Sequence, residues 1–295
     1  MSLPATLLLG FIAGATILLG LPMGRLRRPA PSLRLLLNAT AVGVLLFLVW
    51  DVLSAAWEPI DAALESVHAG QGGLATAIGY GLISVVGLAV GLLSLVFYER
   101  WMSGQVAATP ADAPPRPQGP GTMTLGEVKP PRGLASWSAA RRLALLIAVG
   151  IGLHNFAEGL AIGQSAASGE IALALMLVIG FGLHNATEGF GIVAPLAADV
   201  DGDGALRRPS WAFLLMLGAI GGGPTFVGTV VGHGFTSEPL SVAFLTLAAG
   251  SLIYVITQLI GVAARARRTD LLAYGILIGL VAGFLTDAIV TAAGV

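Results

Sequence analysis

Eight long apolar segments dominate this sequence of 295 residues. A helix needs about 20 mostly apolar residues to cross the roughly 30 Å hydrocarbon layer of a bilayer. The segments that meet this length lie at about 3–22, 34–56, 73–98, 142–165, 170–196, 210–232, 239–263 and 271–293. Only 11% of the residues are charged and 56% are hydrophobic, which is not the composition of a soluble domain. We therefore predict an all-α integral membrane protein with eight transmembrane helices.

The distribution of basic residues predicts the orientation, because cytoplasmic loops retain Lys and Arg. If the loop after the first segment is cytoplasmic, all 15 Lys and Arg fall on the cytoplasmic side. The opposite loops carry acidic residues and histidines, namely Glu58, Asp61, Glu65, His68, Glu170, His233 and Glu238. Because the number of spans is even, both termini are predicted to be extracytoplasmic.

Composition also limits the chemistry. The chain has no cysteine, so a metal site must use His, carboxylate or amide ligands. A formal net charge of −1 gives no case for nucleic-acid binding, which requires a basic surface.

A motif of eight residues occurs twice, as GLHNFAEG from Gly152 and as GLHNATEG from Gly182. In each copy His and Glu are four residues apart, so both lie on one helix face and can share a metal ion. Counting from the predicted helix ends puts each histidine roughly 18–21 Å deep, near mid-membrane. Two antiparallel helices then bring together a predicted metal site formed by His154, Glu158, His184 and Glu188.

The alternative is that these residues only hydrogen-bond each other and tie two helices together. A charge at mid-bilayer costs on the order of 2.5–3.5 kcal/mol on insertion scales, so Glu158 and Glu188 need a partner. A divalent cation neutralises both carboxylates while neutral imidazoles complete its shell. We therefore favour a metal site that suits Zn²⁺ and tolerates Fe²⁺, Mn²⁺ or Cd²⁺.

The motifs resemble those of the ZIP (Zrt-/Irt-like protein) family of metal transporters, whose fourth and fifth helices carry His-Asn-x-x-Glu-Gly and His-Asn-x-Pro-Glu-Gly. The resemblance extends to HNATEGFGIVAPLA in the fifth segment and AAGSLIYVITQLI in the seventh. It implies a 3+2+3 arrangement of eight helices, with alternating access that carries metal into the cytoplasm. The expected location is the cytoplasmic (inner) membrane of a bacterium or archaeon, and the metal is substrate, not cofactor.

Carried over residue by residue, the resemblance assigns His154, Glu158, His184 and Glu188 to the principal metal site. Asn155 and Asn185 fall on positions that can form a neighbouring second site. The expected organisation is helices one to three over 1–98, a disordered Pro- and Gly-rich cytoplasmic loop over 99–141, metal-site helices over 142–198 and the last three helices over 199–295.

Three positions depart from the family pattern. Gly223 replaces a glutamate that often contributes to the second site, which puts a full two-metal centre in doubt. Gln258 replaces an acidic residue of the seventh helix and weakens an inner relay of carboxylates. Thr187 replaces the proline of the fifth-helix motif, so we expect its kink at Pro195.

Other acidic residues suggest lesser roles. Asp51 is a candidate entrance residue that collects cations, and Asp287 is expected at the outer interface. We expect a solvated acidic loop around His68. The run from Asp199 to Gly204 resembles the start of a Ca²⁺ loop but has Ser210 at position twelve, so we interpret it as a solvated turn or weak metal receiver.

Two rival functions use the same ligands. One is a membrane-embedded zinc hydrolase, although the His-Glu-x-x-His pattern is absent. The other is a non-transporting metal sensor. We expect a transporter and not an enzyme, in contact with the bilayer and a divalent metal ion. Whether the protein forms a homodimer is left open, because the sequence does not determine the oligomeric state.

Overall fold

The computed structural model describes residues 1–25, 31–107, 133–169, 171–201, 205–234 and 237–292. These ranges contain eight α-helices and no strand, with one isolated bridge between Val200 and Leu206. The helices are α1 (Leu3–Ala15), α2 (Pro31–His68), α3 (Leu74–Ala107), α4 (Ala139–Ala167), α5 (Ile171–Val193), α6 (Trp211–Gly234), α7 (Glu238–Ala264) and α8 (Thr269–Ala292).

All eight helical segments of the described residues are long and apolar enough to cross a membrane. The predicted all-helical class and span count are therefore confirmed, and the chain is a multi-pass membrane protein by length and composition. Two spans are only partly α-helical. After α1 the chain continues in 3-10 turns to Arg25, and after α5 it continues as a 3-10 turn over Ala194–Ala198.

The break after α5 coincides with Pro195, where we expected the kink. Proline has no backbone N–H, so it cannot continue the α-helical hydrogen-bond ladder. Upstream of this point α5 remains regular through its motif. The Thr187 hydroxyl donates to the His184 carbonyl at 2.7 Å, which satisfies the hydroxyl within the helix.

The prediction of an acidic loop around His68 was wrong, because α2 continues as a helix to that residue. The acidic stretch contains good helix formers, and Pro59 leaves the helix uninterrupted. The helix ends at a glycine-rich turn where Gly70, Gly72 and Gly73 adopt positive φ.

The predicted disordered loop over 99–141 was too wide at both ends. Helix α3 extends to Ala107, a 3-10 turn covers Gly133–Ser136, and α4 begins at Ala139. Ser138 caps α4 by accepting a hydrogen bond from the Arg141 amide. Residues 108–132, which hold the rest of the predicted loop, lie outside the described residues.

Helix α4 is the most deeply buried span, and α3 and α8 are the most exposed. Helix α4 packs most extensively on α6, while α1 packs on α6 and α5. On the other side, α8 lies on α2 and α7 lies on both α3 and α2. The two motif-bearing helices thus sit among α1, α6 and the α2–α7 side. Helix α4 is buried over most of its surface, whereas α5 keeps an exposed apolar face that includes Leu175, Ile179 and Leu183.

Glycines set the close approach of α4 to α6. A Cβ added at Gly159 would collide with the Thr225 carbonyl oxygen, and one at Gly152 would collide with the Ile220 carbonyl oxygen. The Ile220 carbonyl is the one that Pro224 deprives of its helical donor. This carbonyl packs against Gly152 of α4, and α6 continues past Pro224 without a break.

Gly159→Ala should therefore destabilise the protein by about 1–3 kcal/mol, because the added methyl meets backbone that cannot move aside. Gly81→Ala is the matched control, since a Cβ there meets no atom within 4 Å. It should leave stability unchanged or raise it by up to about 1 kcal/mol through helix propensity. Thermal unfolding in detergent measures both, and equal melting temperatures would contradict the packing described.

Candidate metal centre

The two motifs face each other across the α4–α5 interface. His154 Nε2 lies 2.9 Å from Glu158 Oε1, one turn along α4. His184 Nε2 of α5 contacts the same Glu158 oxygen even more closely. Ligand atoms of His154, Glu158 and His184 all lie within 4.8 Å of one another, so one ion can reach all three.

Glu188 completes the cluster from α5. Its Oε1 lies 4.0 Å from His154 Nε2, and neither of its carboxylate oxygens has a hydrogen-bond partner among the described residues. Glu158 Oε2 lacks such a partner too. Three carboxylate oxygens of the two glutamates are therefore buried without a hydrogen-bond partner among the described residues.

The cluster is shielded from solvent except on one side. The side chains of His154 and Glu188 are each 1% exposed and that of Glu158 is 4% exposed, whereas His184 is 12% exposed. Helix α4 begins at Ala139 and α5 begins at Ile171. Each motif histidine therefore lies roughly 20 Å from the N-terminal end of its own helix. The site is therefore buried near mid-helix and accessible through His184.

The described residues supply no Lys or Arg salt bridge to Glu158 or Glu188; their ion-pair partners are the two histidines alone. Two carboxylates in a dry interior carry a desolvation cost of several kcal/mol each unless they are neutralised. A divalent cation bound by two imidazoles and two carboxylates cancels the charge and uses the open oxygens. That arrangement is chemically suited to Zn²⁺ and related ions.

Asn155 and Asn185 lie beside the cluster, both fully buried. The Asn155 amide donates to the Gly221 carbonyl of α6 at 2.9 Å, and the Asn185 amide donates to the Ala13 carbonyl of α1 at 3.1 Å. Each amide nitrogen thus ties a motif helix to a neighbouring helix. Both Oδ1 atoms lack a hydrogen-bond partner among the described residues, so each can still act as a metal ligand.

The position we expected to weaken a second site, Gly223, lies near the exposed stripe of α6 that includes Ala219 and Phe226. A Cβ added at Gly223 meets no atom within 4 Å. The helix therefore brings no carboxylate toward Asn155 from this position.

Gln258 has a neighbour that sequence reasoning missed. Its amide donates to Glu99 of α3 at 3.1 Å, and the Tyr254 hydroxyl donates to the same carboxylate oxygen at 2.9 Å. A carboxylate therefore stands beside Gln258 after all, supplied by another helix. The only sequence signal was a glutamate directly after an apolar span, and the sequence analysis gave it no role.

On its exposed side, His184 borders a cavity of about 360 Å³ between α2, α5 and α8. The lining includes Asp51 and Asp287, so the expected entrance residue and the residue expected only at the interface share one cavity. Sequence reasoning missed Asp287 because nothing in one sequence pairs α8 with α2. The pairing depends on close contact at Gly283, where an added Cβ would collide with the Phe47 ring.

The prediction of a solvated turn from Asp199 onward was wrong for Asp199 itself, because this residue is fully buried. Its Oδ2 accepts a hydrogen bond from Arg141 Nε at 2.8 Å, which links the start of α4 to the segment after α5. Asp201 accepts a hydrogen bond from the Ala205 amide. Residues 202–204 lie outside the described residues.

Neither a protein-family model nor a curated protein matches this chain.

The cavity beside His184 can be tested with single cysteines, because the chain has none of its own. Asp287→Cys should react with a small cationic thiosulfonate, since the side chain lines a cavity that holds two carboxylates and therefore water. Ile147→Cys, at a fully buried position, should stay unmodified until the protein is denatured. Modification is read by mass spectrometry, and an unreactive thiol in the Asp287→Cys variant would mean that the cavity is dry or closed.

Proposed function

We propose that this protein is a ZIP-like transporter that carries a divalent transition metal, most readily Zn²⁺, across the membrane and into the cytoplasm. The observation that carries the proposal is the convergence of His154, Glu158 and His184 on one point inside the bundle, with Glu188 beside them. Fe²⁺, Mn²⁺ and Cd²⁺ also suit these ligands. The likeness of the two motifs to those of the ZIP family supports the same assignment.

Charge balance argues for a metal at this position. Protonated histidines alone would neutralise the glutamates but leave the oxygens of Glu188 without hydrogen-bond donors. A cation of charge +2 balances both carboxylates and coordinates their oxygens at once. In a bilayer, buried ionisable residues of this kind mark ion pathways.

The cavity that leads to the site carries negatively charged residues, which favour the entry of a cation. Asp51 and Asp287 line the cavity that ends at His184, and they lie toward the opposite end of the protein from the Arg-rich loops. Negative charge in a narrow cavity raises the local concentration of cations. A hydrated metal ion would therefore meet two carboxylates first and exchange water for His184 and Glu158 next.

The other side of the site is closed by packing. Ile147 and Ile151 are fully buried in the α4 turns between the cluster and the start of that helix, and Val255 of α7 is fully buried against Gly150. An ion that entered at His184 cannot leave that way without movement of helices. This one-sided accessibility is what alternating access requires of a secondary transporter. Glu99, held by Tyr254 and Gln258, supplies a carboxylate beyond the packed layer and is a candidate exit group.

Helix packing supports the 3+2+3 arrangement. Suppose that α1, α2 and α3 correspond to α6, α7 and α8 in that order. The contact between α2 and α8 then corresponds to the contact between α7 and α3. Both pairs are among the most extensive contacts of the molecule. Two related groups of three helices, packed around the central α4–α5 pair, would produce such a pair of equivalent contacts.

The proposed orientation places both termini outside and all 15 basic residues in the cytoplasm of a bacterium or archaeon, in its inner membrane. Glu65→Cys and Arg268→Cys test it, since both positions are exposed at opposite ends of the bundle. An impermeant maleimide should label the Glu65→Cys variant in intact cells and the Arg268→Cys variant only after permeabilisation. The reverse pattern would overturn the orientation and with it the direction of transport.

Transport itself is tested by ⁶⁵Zn²⁺ uptake into proteoliposomes. His184→Ala and Glu188→Gln should each lower uptake at least about tenfold, because each removes one ligand atom from the cluster. His68→Ala and Glu65→Gln are matched controls at exposed positions of α2 and should retain native uptake.

Unchanged uptake by both ligand variants would show that the cluster is not the transport site. If the native chain binds one equivalent of zinc but transports none, the sensor or the hydrolase becomes the better explanation. A peptide or ester cleavage assay with the same zinc-loaded protein then separates those two.

A further inference from the structure

A second cavity, of about 290 Å³, lies between the 3-10 turn that ends at Arg25, the start of α2, the end of α5 and the end of α7. Most of its lining is apolar, including Leu35, Leu37, Phe190, Val193, Val262 and Ala263. It lies near the ends of these helices that border the Arg-rich loops, on the opposite side of the metal cluster from the His184 cavity.

The polar groups of this cavity come from one face of α2. Arg34 and Asn38, one turn apart, both line it, and Arg34 is the only charged residue among the described residues of the lining. Asn38 is 4% exposed and donates from its amide to the Leu259 carbonyl at 3.0 Å. Its Oδ1 is buried and has no hydrogen-bond partner within the described part of the chain, so the cavity wall keeps an open acceptor.

Four further arginines adjoin lining residues in the chain, although Arg25 itself donates to the Pro209 carbonyl and lies over the Trp211 ring. Arg25 follows the lining residue Gly24, Arg207 follows Leu206, and Arg265 and Arg267 flank Ala266. None of the described residues that line the cavity is acidic. This charge pattern repels a divalent cation, so the cavity is a poor exit for metal. It favours a molecule with an anionic head and an apolar body.

We propose that this cavity binds an anionic phospholipid of the adjacent leaflet, with its phosphate near Arg34 and an acyl chain in the apolar space. Basic pockets between transmembrane helices at the cytoplasmic surface recognise anionic head groups by the same physics. A head group with free hydroxyls, as in phosphatidylglycerol, also offers a donor for the Asn38 oxygen.

The site contacts the helix that carries two metal ligands. Phe190 is two residues beyond Glu188 on α5, and the wall continues along Val193 and Ala194. The opposite wall belongs to α2 and α7. A bound lipid thus contacts both the metal-bearing helix and its neighbours, where it can hold them together. The assignment to the cytoplasmic leaflet rests on the proposed orientation, but the binding itself does not depend on transport.

The test is lipid retention by the metal-free, full-length protein in detergent, measured by native mass spectrometry during titration with phosphatidylglycerol or phosphatidylcholine. The native chain should retain one phosphatidylglycerol more tightly than phosphatidylcholine. Arg34→Gln should weaken that preference about fivefold, as expected for one arginine at a head group. Arg208→Gln, which removes an exposed arginine that does not line the cavity, should not.

A second pair of variants tests the cavity without touching its charge. Ala266→Trp should block the mouth, and Ala264→Trp, at an exposed position outside the lining, should not. Both leave Arg34 intact, so they decide the matter if Arg34→Gln fails to fold. Equal retention of both lipids by the native chain, or undiminished phosphatidylglycerol retention in Ala266→Trp, would overturn the proposal. Because metal is absent, neither result depends on whether the protein transports zinc.

Discussion

The desolvation of Glu158 and Glu188 is the constraint on which the rest of the structure depends. Two carboxylates near the middle of membrane-spanning helices are tolerated only with compensating charge close by. The compensation here comes from His154 and His184, which contact Glu158 directly. The oxygens of Glu188 and one oxygen of Glu158 are left for a further partner. The divalent cation proposed above would coordinate these oxygens and balance both charges.

The surrounding packing serves the same constraint. Small residues let α6 approach α4 so closely that carbonyl oxygens of Ile220 and Thr225 abut Gly152 and Gly159. That contact removes water from the back of the cluster and strengthens every electrostatic interaction within it. Asn155 adds a hydrogen bond to α6, so the same helix face both packs and positions the ligands.

The sequence predicted these features because they depend on local spacing. Hydropathy found eight spans, and a four-residue separation in two copies of one motif identified the cluster. What the sequence did not predict depends on which helices are neighbours. Asp287 shares a cavity with Asp51, and Glu99 meets Gln258, only because α8 packs on α2 and α3 packs on α7. The prediction of a loop near His68 was wrong as well. Hydropathy shows where a segment stops being apolar, but a helix can continue beyond that point, as α2 does.

Helix α2 is continuous over 38 residues from Pro31 to His68, about 57 Å at the standard rise. Its first turns carry Arg34 and Asn38 at one cavity, and Asp51 stands at the other. Because α2 has no break between the two cavities, Arg34 and Asp51 belong to one continuous element, about 26 Å apart along its axis. A tilt of α2 about its first turn would displace Asp51 further than Arg34, because displacement grows with distance from the pivot. The two cavities thus share one wall element, and a shift of that helix would change the shape of both together.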